Sequence, residues 1–216
     1  AFTASGEVNG YTVSYYQASK DQFAGMSSAR LSIDMGDMGT LAFDQGSGSG
    51  LGTIDDKTPT AAEEIWDGLD TVTTTGPEGL VGAAGASGVW NYIKTMNGMT
   101  FNGAARKGSG TKNSDGSSSA SGGSAWDFAL TGSGDDYGAP GLAWGFGYGE
   151  SEVSSVRTDE HSTIFANYSA GMATFGYQMS EITSGATGGT DELVDAWGIA
   201  LNVNDNLSVS YGEREV

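Results

Sequence analysis

The sequence predicts an all-β protein, an antiparallel up-and-down transmembrane β-barrel of about 12 strands. Three observations predict it. Apolar and polar residues alternate with period 2 in segments that recur almost end to end, the pattern of strands with two unlike faces. Short turns alternate with longer links, which places the short ones at one end of the sheet and the long ones at the other. Aromatic residues gather on the apolar face near strand ends, where rings with a polar edge suit the two membrane interfaces.

The strands are predicted in order. The first covers residues 2–8, turns at Asn9 and Gly10, and returns over 11–19 with Tyr11, Val13 and Tyr15 on one face. Asn-Gly between alternating runs is the strongest short hairpin signal. Residues 27–35 alternate Ala29, Leu31, Ile33 and Met35 with Ser28, Arg30, Ser32 and Asp34, and a turn at 36–39 leads to 40–45. Strands at 89–95 and 99–107 flank Asn97 and Gly98. Residues 125–131 and 142–149 carry the clearest stripes, Trp126, Phe128 and Leu130, then Leu142, Trp144, Phe146 and Tyr148 opposite Ala143, Gly145 and Gly147. The last four are 161–169, 173–180, 193–203 and 207–212.

The longer links begin near Lys20, Gly46, Gly108, Glu150 and Glu181, and the 132–141 connection is longer than its class. Residues 108–124 are almost purely Gly, Ser, Lys, Asn and Asp, too polar to order themselves, and are expected to be mobile and solvent-facing. Residues 46–88 have little strand character, and a loop of that length in a compact domain usually has a function. Within it, 60–69 reads as a short helix carrying Glu63, Glu64 and Asp67.

Composition narrows the function. Gly supplies 36 of 216 residues, about one in six against a usual share of roughly 7%. With no Cys and one His, thiol chemistry and the common structural zinc sets are excluded. The net charge of -18 repels a phosphate backbone, so nucleic acid is not the partner. His161 beside Glu160 lacks a positioned nucleophile, so no enzyme is expected and no catalytic residue is assigned. No cofactor is expected. Asp135 with Asp136, and Asp159 with Glu160, could hold Ca²⁺ weakly or be solvated charge clusters, and no metal site is assigned.

Period 2 leaves open whether the apolar face meets a shared core or lipid. Arg30, Asp34, Asp44, Arg106 and Asp127 on the other face suit a wet lumen and a solvated exterior equally. Greek-key sandwiches mix their connection lengths, so one short end and one long end favour the barrel. Lys94 falls on the lipid-facing parity, where it would snorkel to the interface.

Residues 29–45, ARLSIDMGDMGTLAFDQ, resemble the strand, turn and strand that lead into the long third loop of the general porins of the Gram-negative outer membrane, in their alphaproteobacterial form. NGYTVSYYQ from Asn9 and NLSVSYGERE from Asn206 resemble porin hairpin arms, and the resemblance covers nearly the whole chain. It implies a homotrimer of roughly 16-stranded barrels embedded in the outer-membrane bilayer, with a third loop that folds inward to narrow the pore. Residues 1–216 would then be one porin domain, truncated at both ends, with its constriction loop at about 46–88.

The function so implied is passive diffusion of ions and small hydrophilic solutes through a water-filled channel. Its acidic constriction would be Asp55, Asp56, Glu63, Glu64 and Asp67, with Asp70 near them, or these would be a solvated loop surface. Arg30 and Arg106, with Asp34 and Asp44, would form the opposite wall and set a transverse field, or Arg30 would pair locally with Asp34 or Asp44. The net charge predicts cation preference. The rival readings are a secreted acidic Gly-rich Ca²⁺-binding adhesin or surface-layer β protein, although no G-G-x-G-x-D register is present, and a substrate-specific channel of the same architecture.

Overall fold

The computed structural model describes residues 1–20, 25–46, 50–61, 83–85, 87–108, 123–154 and 157–215. The expected alternation becomes one antiparallel sheet of 12 strands in strict sequence order. They are β1 (Phe2–Val8), β2 (Tyr11–Ser19), β3 (Met26–Asp34), β4 (Thr40–Gln45), β5 (Ser87–Met96), β6 (Met99–Arg106), β7 (Ala125–Ser133), β8 (Leu142–Ser154), β9 (Arg157–Ala170), β10 (Ala173–Thr183), β11 (Glu192–Asn204) and β12 (Leu207–Glu215). Among the described residues no pairing joins β1 to β12.

The turns follow from local chemistry. Asn9 and Gly10 have φ of 52° and 83°, and Asn97 and Gly98 have 50° and 73°. Positive φ at both central residues matches the twist of a two-residue hairpin, and Asn-Gly reaches it at least cost. At the β3–β4 turn, Asp34 accepts the Gly36 N–H at 2.9 Å. Between β7 and β8, a 3-10 turn at Gly134–Tyr137 starts from Ser133, whose hydroxyl accepts the Asp135 N–H.

One connection corrects the expectation. The longer link expected from Glu150 is ladder instead, because β8 and β9 pair from Leu142↔Tyr168 through Ser154↔Arg157, leaving only residues 155 and 156 between them. Backbone pairing does not require an apolar side chain, so it continues through Glu150, Ser151, Glu152, Asp159 and Glu160 after the hydrophobic alternation has stopped.

The two faces are unlike. Leu31, Phe43, Trp90, Phe146, Ile164, Phe175, Trp197 and Val209 share the outward face and are exposed there. Aromatic contacts run along it from strand to strand, Phe43 to Trp90 across β4 and β5, then Tyr92 to Phe101, Phe128 and Phe146 across β5 to β8. Tyrosine hydroxyls reach polar groups at both margins. Tyr92 and Tyr137 donate to the carbonyls of Met38 and Asn97 at the short-turn end. Tyr148 and Tyr211 donate to Glu150 and Glu213 toward the other. On the inward face, buried apolar residues form two small clusters that each include loop residues: Leu51 and Ile54 with Ala129 and Phe165, and Ala84 with Val89, Ala104 and Ala125.

Candidate functional site: a loop docked on the inward face

The β4–β5 loop leaves the sheet at Gly46, whose φ of 86° turns the chain sharply. Residues 50–61 then cross the inward face from β6 to β11. A 3-10 helix at Gly50–Thr53 opens the crossing, and its first two N–H groups have no partner within so short a helix. The wall supplies them: Asn102 Oδ1 on β6 accepts from Gly50 N at 3.0 Å, and Asp127 Oδ1 on β7 accepts from Leu51 N at 2.9 Å. Gly50 is required there, because a Cβ would stand 1.6 Å from Asp127 Oδ1.

Further along, Gln178 on β10 serves three loop groups. Its Nε2 donates to the carbonyls of Ile54 and Asp55 at 2.7 and 2.8 Å, and its Oε1 accepts from Lys57 N at 2.7 Å. Asn167 on β9 donates to the Lys57 carbonyl at 2.6 Å. A side-chain amide suits this task because it carries both donor and acceptor, and the extended loop offers both. The loop returns at residues 83–85, where Asp127 Oδ2 accepts from Ala84 N at 2.7 Å.

Inward-facing glycines make the track in which the loop lies. A Cβ on Gly147 would be 2.3 Å from Leu51 Cδ1, one on Gly149 2.9 Å from Ala83 Cβ, and one on Gly176 2.3 Å from Pro59 Cδ. One on Gly198 would be 2.7 Å from the Pro59 carbonyl. Buried polar residues line the same track, with Asn91 0%, Asp127 3% and Gln178 5% exposed, each hydrogen-bonded as burial requires. On the short-turn side of the crossing, Lys57, Thr53, Thr100, Asn102 and Thr131 border an open cavity of about 320 Å³ that Ile54 and Ala129 complete.

Of the expected wall residues, all four among the described residues, only Arg30 and Asp44 are joined. Arg30 and Asp44 are cross-strand partners, with Nη1 donating to Asp44 Oδ2 at 2.8 Å, and Arg30 Nη2 donates to Asn91 Oδ1 at 2.7 Å. Asn91 donates in turn to Asn102 and to the Gly103 carbonyl, so one polar chain leads from β3 to the start of the loop. Asp34 stands apart from this chain at its turn. Arg106, inward on β6, lies beside the returning loop, its Nη1 3.7 Å from where a Gly85 Cβ would be.

Of the expected acidic residues, Asp55 and Asp56 lie on the docked crossing, Asp55 half-buried and Asp56 exposed. Glu63, Glu64, Asp67 and Asp70 lie outside the described residues, as do most of the expected 60–69 helix and of the 108–124 loop. The acidic pairs considered for Ca²⁺ have other contacts: Asp135 accepts from Ser133 Oγ and Gly141 N, and Asp159 takes two bonds from Arg157 and one from Gly185 N.

The sequence places Asp127 on the polar face without a task, and it does not single out Asn91, Asn167 or Gln178 at all. The available signal was an amide or carboxylate on the inward parity of a strand, beside inward glycines. No protein-family profile matches the chain, and no curated protein matches it.

Proposed function

We propose that the chain is wall and constriction of a water-filled, cation-preferring channel of the general porin type, through which ions and small hydrophilic solutes cross the Gram-negative outer membrane passively. The observation that carries this reading is the combination of faces: aromatic and aliphatic residues outward, and a loop docked across the polar inward face.

The size of the outward face supports lipid as its neighbour. Twelve strands about 4.8 Å apart make the face roughly 58 Å wide, and an outward apolar run of about seven positions, as from Leu142 to Tyr148 on β8, is roughly 24 Å tall, so the band covers roughly 1,400 Å², whereas the largest apolar patch on a typical soluble monomer is about 300–600 Å². Tyrosine hydroxyls bonded at both margins suit the two interfaces of a bilayer. A loop held in the lumen gives passive diffusion a size limit, and Asp55 and Asp56 on it, in a chain of net charge -18, favour cations. In lipid the edges of β1 and β12 need partners, because unpaired backbone groups are costly there.

The test is conductance of the protein, purified from its own cells, in a planar bilayer. Stepwise ohmic channels and a reversal potential of cation-selective sign in a KCl gradient are expected. A bilayer that stays silent at saturating protein refutes the channel, and anion preference refutes the charge argument.

A further inference from the structure

We propose that Asp127 is the positioning residue of this constriction: one carboxylate on β7 ties both arms of the inward loop to the wall and so sets where the loop stands in the lumen. The consequence for the pore rests on the channel reading above, whereas the tie itself is a property of the loop and is tested separately.

The geometry is specific to a carboxylate. Oδ1 accepts from Leu51 N at 2.9 Å on the entering arm and Oδ2 from Ala84 N at 2.7 Å on the returning arm. Only a group with an acceptor at each end can take two N–H donors in this way. The surroundings are built around it. Gly50 and Gly149 have no Cβ where one would meet Asp127 Oδ1 at 1.6 Å and Asp127 Cβ at 2.4 Å, and the residue is 3% exposed.

The two arms are held unequally. The entering arm has further bonds, from Gly50 N to Asn102 and from Lys57 N to Gln178. On the returning arm, among the described residues, the bond from Ala84 N to Asp127 is the one hydrogen bond to the wall, beside packing of Ala84 against Val89, Ala104 and Ala125. This asymmetry predicts what Asp127→Asn does. The carboxamide keeps one acceptor and turns a donor toward the other N–H. The entering arm cannot retreat, so the oxygen stays with Leu51, the NH₂ opposes the Ala84 N–H, and the returning arm gives way.

Residue-resolved hydrogen exchange on the whole protein in detergent micelles reads this directly. Asp127→Asn should speed exchange at Ala84 about ten- to a hundredfold, the loss expected for a hydrogen bond to a charged group. Leu51 and the β7 ladder should stay within about threefold. Conductance of the variant should change in step size or open-channel noise. Unchanged exchange at Ala84 overturns the proposal, and so does an equal rise at Ala84, Leu51 and the ladder, which would mean general loosening. If Asp127→Asn does not fold, Gly50→Ala pushes on the same carboxylate from the entering side and should speed exchange at Leu51, and an unchanged Leu51 overturns the proposal. A silent bilayer with wild-type protein would refute the channel and leave the exchange result standing.

Discussion

Replacing Leu51 by alanine tests whether the loop is packed onto the wall or merely lies near it. Leu51 is 1% exposed and packs with Ile54, Ala129 and Phe165. The substitution removes three carbons, about 2.4 kcal/mol of transfer free energy at about 0.8 kcal/mol per methylene. Facing the Leu51 methyl is Gly147, which has no side chain to move into the space, so the cavity stays open. The cavity term then brings the cost to about 3–4 kcal/mol. The population in which the crossing has lifted should therefore rise about 150- to 1,000-fold. The assay is hydrogen exchange at the Lys57 amide, whose acceptor is Gln178 Oε1 at 2.7 Å and which exchanges only when the crossing leaves β10. Amides of the β1–β2 ladder are the internal reference, since that hairpin lies outside the crossing. A rise of less than about tenfold at Lys57, or an equal rise at β1–β2, would refute the packing argument.

Three further results are expected. Gly147→Ala and Gly176→Ala should each destabilise the protein by about 1–3 kcal/mol through overpacking, while Gly6→Ala, with nothing within 4 Å of its added Cβ, should leave the thermal midpoint in micelles unchanged within error. Arg30→Met leaves Asp44, 0% exposed, without its guanidinium and should cost about 3–5 kcal/mol in chemical denaturation. Combining it with Asp44→Asn should cost clearly less than the sum of the two, and strict additivity would show that the pair is not coupled. The proposed channel function further predicts that neutralising Asp55 and Asp56 together as Asn moves the reversal potential toward zero in a KCl gradient, because both lie on the docked crossing, and an unmoved potential would refute their proposed part in selectivity.

Strand number and facing were legible because they depend on the side-chain period alone. Leu31, Phe43 and Trp90 fall on one face across three strands, and Arg30 and Asp44 on the other, once the hairpins are in register. The Asn-Gly turns at Asn9 and Asn97 fixed that register locally. The extension of β8 and β9 was not legible, since Glu150 to Ser154 and Arg157 to Glu160 pair through backbone bonds that leave no hydrophobic pattern. The docking of the loop was not legible for a different reason. Leu51 meets Asp127 across 76 residues and Lys57 meets Gln178 across 121, so no local window contains both partners. The inward glycines were visible as a parity, but their reason, room for a chain lying over them, appears only when Leu51 and Pro59 are in place.

The loop and the wall are thereby one specification. An extended crossing with little secondary structure of its own must place its backbone donors and acceptors somewhere, and here they go to side chains of the sheet. Asn102, Asp127, Asn167 and Gln178 lie on four different strands, and each can serve the loop only from the inward parity. A slip of one residue in the pairing of β6 with β7, where Asn102 stands opposite Ala129 and Ala104 opposite Asp127, would turn one strand's inward residues outward. The slip would put Asp127 or Asn102 on the apolar outer face and orphan the Leu51 or Gly50 N–H in the same step. Docking of the loop therefore penalises wrong registers of the strands beneath it, and correct register is what fixes the position of the loop.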